Sequence, residues 1–159
     1  AGTGVFVDFF ARDVGPAGRV FAIEIAQPFV DRLRERATAR GQAQVEARLG
    51  GERDIGLPAG SVDVVFTCDT YHHFEYPDAT LASIHHALRP DGELVVVDFE
   101  RILGVSRPWV IDHVRCGKEQ VTNEVLAAGF ELVEEVSVGL RENYFLRFRK
   151  VAPAQRPPS

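Results

Sequence analysis

Apolar positions along this chain alternate between helical spacing and short continuous runs, and the alternation is regular. VFVDFFAR (5–12) brings Val5, Phe6, Phe9 and Phe10 to one side of a helix, and GPAG (15–18) ends it in a turn. RVFAIEI (19–25) is rich in β-formers and short enough for a buried strand. QPFVDRLRERATAR (27–40) has Pro28 near its first helical position, apolar Phe29, Val30, Leu33 and Ala37, and Gly41 just past the end, which predicts a second helix. QVEARLG (44–50) reads as a strand and GERDIGLPAG (51–60) as irregular. SVDVVFTC (61–68) is a third strand, DTYHHFEYP (69–77) a loop, and DATLASIHHAL (78–88) a helix stacking Leu81, Ile84 and Leu88. RPDG (89–92) turns the chain into ELVVVDFE (93–100), an apolar run typical of a strand covered on both faces.

Residues 101–117 keep no clean period, and KEQVTNEVLAAG (118–129) is a helix closed by Gly129. FELVEEVSV (130–138) and ENYFLRFRK (142–150) are two strands joined by GLR alone, a connection that permits only antiparallel pairing. The order α-β-α-β-β-α-β-α-β-β predicts an α/β fold, a three-layer α/β/α sandwich with a mostly parallel sheet and a C-terminal antiparallel hairpin. One domain is expected over 1–150, with 151–159 a disordered tail that has nothing to pack. The chain has no methionine, and a further strand is expected before Ala1.

Composition narrows the function classes. With 45% hydrophobic and 26% charged residues the chain sits near the globular average. The formal net charge of −5, with no run of Lys or Arg, argues against a nucleic-acid backbone as partner. No apolar stretch is long enough to span a bilayer. Cys68 and Cys116 are too few and too distant for a disulfide framework or a thiolate zinc site, which points to a reduced, cytoplasmic protein.

The first four residues, AGTG, have the character of a glycine turn between a strand and a helix, where backbone N–H groups can approach a polar ligand. Glu24 follows Gly4 by roughly 20 positions, near the end of the next strand, where a carboxylate can accept both hydroxyls of a ribose. A nicotinamide fingerprint, G-x-G-x-x-G, would put its third glycine at Val7, too bulky for close helix–strand packing. The closing hairpin is foreign to that family as well.

AGTG, AIEI, GERDIGLPAGSVDVVFTCDTYHHFEYP and HHALRPDGELVVVDFER together resemble the class I S-adenosylmethionine-dependent methyltransferases, over residues 1 to about 150. The resemblance implies a Rossmann-like fold, S-adenosyl-L-methionine as cofactor and methyl transfer to a small-molecule acceptor. It also implies cofactor contacts. Ala1, Gly2, Thr3 and Gly4 match the end of the family's first motif, and Glu24, with Ile25 beside it, matches its ribose carboxylate. Arg53 and Asp54, next to Glu52, fall where the family contacts adenine, and Cys68 and Asp69 lie where it holds the methionine part.

Methyl transfer from a sulfonium is an in-line displacement with a neutral leaving group, so positioning can supply up to roughly 7–11 kcal/mol of the acceleration. A base matters only where the acceptor must lose a proton. Candidates lie in CDTYHHF: Asp69, Tyr71, His72 and His73, with His73 preferred. The plainer alternative has Asp69 as a cap, one histidine packed and the other solvated. No metal is expected, because His72–His73 and His85–His86 are adjacent pairs and lack the i, i+4 spacing of two ligands on one helix face. Trp109 reads equally as a wall of the acceptor pocket or as a plug for its loop. A nucleotide-binding oxidoreductase and a cofactor-binding domain without catalysis are the competing readings, and the oligomeric state is not legible.

Overall fold

The computed structural model describes residues 1–151; of the tail expected over 151–159, all but Val151 lies outside the described residues. The chain divides after Gly56 into two compact units.

In the first unit α1 (Val7–Val14), β1 (Val20–Glu24), α2 (Gln27–Ala39) and β2 (Val45–Leu49) follow one another. β1 and β2 pair in parallel from Val20↔Val45 to Glu24↔Leu49, with α2 as the crossover that parallel pairing requires. Pro28 sits in the first turn of α2, where its missing N–H costs nothing, and Gly41 takes φ 64° just beyond the end. Val7, Ala22, Val30, Leu33 and Ala47 form the core, with Val45 against it.

The stripe expected to bury α1 is not the one that does. Val7 and Ala11 face inward, whereas Val5, Phe6 and Phe9 are exposed. The cause is electrostatic anchoring: Asp8 on α1 pairs with Arg36 and Arg40 and accepts a hydrogen bond from Gln42 Nε2 (3.0 Å). Holding position 8 toward α2 turns positions 7 and 11 inward with it.

The second unit contains β3 (Val62–Cys68), α3 (Pro77–Ala87), β4 (Leu88–Phe99), α4 (Pro108–His113), α5 (Lys118–Ala127), β5 (Phe130–Glu135) and β6 (Asn143–Lys150). Its sheet has the order β3-β4-β6-β5. β3 and β4 are parallel, while β6 runs antiparallel to both β4 and β5, so the unit's sheet is mixed. Leu94, Val95, Val96, Val97 and Asp98 are all buried, as expected of a strand covered on both faces.

Two details differ from expectation. The RPDG turn lies inside β4 as a bulge: Val62↔Leu88 is followed by Val64↔Glu93, and Asp91 takes φ 60° within the insertion. The β5–β6 connection runs over 136–142 instead of GLR alone, because β5 stops at Glu135 after a register shift between Leu132 and Glu134. The aperiodic span 101–117 holds the short helix α4, opened by Pro108 in its first turn.

Candidate active site

The candidate residues of the first unit are held by backbone. Gly2 (φ 54°) and Gly4 (φ 76°) shape a turn closed by Gly4 N–H donating to the Ala1 carbonyl (3.0 Å). Gly4 is constrained twice, since a Cβ there would meet Leu33 Cδ2 at 2.5 Å. Arg36 Nη1 ties the turn to α2 through the Thr3 carbonyl (2.9 Å). Glu24, at the end of β1, accepts from Gly2 N–H (2.7 Å) on Oε2 and from Ile25 N–H (2.9 Å) on Oε1, with a 3.2 Å bond from Ala26 N–H. Burial pushes its pKa up, yet these donors outweigh that and leave it below the ordinary carboxylate value. Gly50 N–H donates to the Glu24 backbone carbonyl (2.9 Å), which ties the start of the loop carrying Glu52, Arg53 and Asp54 to the end of β1. Asp54 itself caps Gly56 N–H (2.8 Å), and Ile25 is exposed.

The candidate residues of the second unit are held by side chains. β3 ends at Cys68, and Asp69 follows with φ 47°, a left-handed conformation that Asp tolerates better than most residues. Its N–H donates to the Val97 carbonyl (2.9 Å), and its carboxylate accepts from Asn143 Nδ2 (2.9 Å). Burial and the Asp98 charge raise its pKa, against the smaller effects of His72 and Asn143. Burial, then Asp69 and Asp98, push the Cys68 thiol up to about 11, which leaves it an inert thiol at neutral pH.

A 3-10 turn, Tyr71–His73, carries the rest. His72 is buried, with Nδ1 2.7 Å from Asp98 Oδ1 and its own backbone N–H on Asp98 Oδ2 (3.1 Å). Asp98 is only 1% exposed and also accepts from Phe99 N–H (2.8 Å), so this buried carboxylate is fully partnered. His73 is exposed, and its ring lies 4.0 Å from that of His72 and 5.0 Å from that of His113 on α4. Burial, then the neighbouring His72 and His113, lower its pKa against the pull of Asp98 and favour a neutral imidazole.

Tyr71 is placed differently from the expectation for a proton carrier. It is buried, its hydroxyl donates to Glu124 Oε2 (2.8 Å), and burial followed by that carboxylate raises its pKa far above the ordinary value. Arg115 grips both Glu124 oxygens at 2.8 Å, completing a structural triad. The sequence reading passed over Asp98, Asn143 and Glu124. Only Asp98 carried a local signal, a charge at the end of an apolar run.

The family model described as a methyltransferase domain matches residues 1–96. The chain belongs to this methyltransferase domain family. It is 40% identical over 84 residues to a nocamycin O-methyltransferase of Saccharothrix syringae, covering 53% of this chain and 30% of that protein. It is 28% identical over 101 residues to a ubiquinone/menaquinone biosynthesis C-methyltransferase UbiE of Cupriavidus metallidurans, covering 64% and 41%. The chain thus matches less than half the length of these relatives. Among solved structures, a SAM-dependent methyltransferase from Aquifex aeolicus superposes with a TM-score of 0.85 at 24% identity, over 94% of this chain and 78% of that one. The [4+2]-cyclase SpnF superposes at 0.81 with 19% identity, over 95% and 72%. These two likenesses concern the fold.

S-adenosylmethionine is the cofactor that the methyltransferase domain family and fold imply. The donor set of the first unit fits it. Glu24 keeps two short backbone bonds that fix its plane, and its longer contact, 3.2 Å from Ala26 N–H, is weak enough for a hydroxyl to replace. Nothing lies within 4 Å of the position a Gly2 side chain would occupy, so the turn has an open side.

Proposed function

We propose that this methyltransferase domain transfers the methyl group of S-adenosylmethionine to a small-molecule acceptor. The reading is carried by Glu24, a partly buried carboxylate kept ionised and oriented by the glycine turn at the end of β1. Its task is to hold the ribose hydroxyls, with Ala1, Gly2, Thr3, Gly4 and Ile25 around it and Arg53 and Asp54 on the adjoining loop toward adenine. The cofactor supplies an electrophilic methyl on a sulfonium whose departure leaves a neutral thioether. The chain's part is binding and orientation, and the acceleration comes from proximity.

Cys68 and Asp69 are the candidates for the methionine part of the cofactor on the family resemblance of their stretch. Where an acceptor carries a proton, His73 is the group suited to take it, being exposed and held neutral. Asp69, with its raised pKa, is the second acceptor of a proton in the same loop. The two methyltransferase relatives act on oxygen and on carbon, which supports a small molecule while leaving the nucleophilic atom open. The net charge of −5 argues against a nucleic-acid substrate. No helix of the described residues is long and apolar enough to cross a membrane, and the free thiols Cys68 and Cys116 suit a reducing cytoplasm.

Isothermal titration of S-adenosylmethionine into the protein and into Glu24→Ala tests the reading. Micromolar binding that weakens at least tenfold, about 1.4 kcal/mol, supports it. Binding of NADH in place of S-adenosylmethionine overturns it. Because a cyclase shares the fold, transfer of labelled methyl to an acceptor has to be measured as well.

A further inference from the structure

We propose that His72, His73 and His113 form a binding site for a divalent transition-metal ion of the zinc type. One imidazole nitrogen from each lies within 4.8 Å of the others. The three come from two separate segments, the 3-10 turn after β3 and the helix α4, so the convergence is tertiary and has no spacing motif in the sequence. The adjacent pair His72–His73 can contribute two ligands because it lies on a 3-10 turn, with ring centroids 4.0 Å apart; the i, i+4 rule applies to an α-helix.

His72 has the surroundings of a metal-binding imidazole. Its Nδ1 faces the Asp98 carboxylate at 2.7 Å, which fixes the tautomer with the proton on Nδ1 and leaves the Nε2 lone pair for an ion. The Asp98 carboxylate is itself anchored by two backbone N–H groups, so the ring is held from behind. Phe99 packs on His72 (5.9 Å between centroids) and Trp109 on His113 (6.4 Å), an aromatic shell beside the three nitrogens. His73 and His113 are exposed, which gives an ion a way in.

The donor chemistry selects the ion. Three neutral nitrogens suit zinc, cobalt, nickel or copper, whereas magnesium and calcium require oxygen. Three protein ligands leave a coordination position for water or for an oxygen or nitrogen of a bound molecule. Ion binding needs no cofactor, so it is measured apart from the methyl-transfer reading, although the two share His73. An occupied site does engage the His73 lone pair, so base catalysis by His73 and ion binding exclude one another.

The test titrates Zn²⁺ into the cofactor-free protein by calorimetry and follows Co²⁺ by its visible absorption bands. One ion per chain is expected, with Co²⁺ bands of four- or five-coordinate geometry and no competition from excess Mg²⁺. His113→Ala and His73→Ala, both at exposed positions, are expected to weaken Zn²⁺ binding at least tenfold with an unchanged circular dichroism spectrum. His86→Ala, at an exposed position on α3, is expected to bind as the unaltered protein does. Absence of stoichiometric binding overturns the proposal. So does wild-type affinity in both His113→Ala and His73→Ala, or loss of binding in His86→Ala.

Discussion

The glycine turn with Glu24 and the imidazole cluster with Asp98 solve the same problem, holding polar groups in fixed positions, by opposite means. The first uses backbone N–H groups, that of Gly2 in the glycine turn and those of Ile25 and Ala26 just after Glu24, to fix one carboxylate. The second uses side chains drawn from the 3-10 turn, β4 and α4, with the buried Asp98 holding His72 from behind. A backbone device draws on main-chain donors, which stay in place when most side chains change. A side-chain constellation depends on several elements at once, so its failure spreads further.

The sharpest test of that contrast is Asp98→Ala. It leaves the His72 backbone and ring donors unpaired in the interior, and a loss of about 3–5 kcal/mol in urea unfolding is expected. A loss below 1 kcal/mol would mean that the cluster is not held by its carboxylate. Glu124→Gln comes next, at about 1.5–3 kcal/mol at pH 7, since it breaks the charge-assisted bonds to Arg115.

That effect depends on pH. Burial opposes ionisation of Glu124, but Arg115, Gln120 and Tyr71 together bring its pKa from 4.5 down to about 2. The stabilisation is therefore present above about pH 4.5 and disappears as pH falls toward 2. The stability gap between wild type and Glu124→Gln narrows over that window, which unfolding midpoints at pH 7 and pH 3 would show.

Gly4→Ala strikes the backbone device. Its φ of 76° makes an alanine cost about 1–2 kcal/mol, and the new Cβ presses on Leu33. S-adenosylmethionine affinity is expected to fall in this variant. Equal losses of stability from Gly4→Ala and Asp98→Ala would erase the contrast. Asn143→Ala is the smallest, under about 1 kcal/mol. It removes a donor that holds the Asp69 pKa down, so an upward shift in the Asp69 titration by NMR is the expected sign.

The same contrast explains what could be read from the sequence. The turn, Glu24, the crossover helix with Pro28 and Gly41, and the apolar run of β4 carry their signals in contiguous residues. The orientation of α1 did not follow from its apolar spacing, because Asp8 is bound by residues about 30 positions away. His113 lay in a span without period, and nothing local ties it to His72. Tyr71 looked like chemistry in a polar loop, and only the fold shows Glu124 and Arg115 waiting for its hydroxyl.

β6 lies between β4 and β5, although it follows both in the chain. Its pairing with β4, from Glu93↔Arg149 to Phe99↔Asn143, joins segments separated by roughly half of the second unit. A ribosome must therefore release residue 150 before this sheet can close. Until then β4 and β5 emerge with open edges, the state in which unpaired strands seek other partners. A chain stopped ahead of Asn143 is expected to need chaperones more than one shortened within its first few residues, because the missing piece is the centre of a sheet.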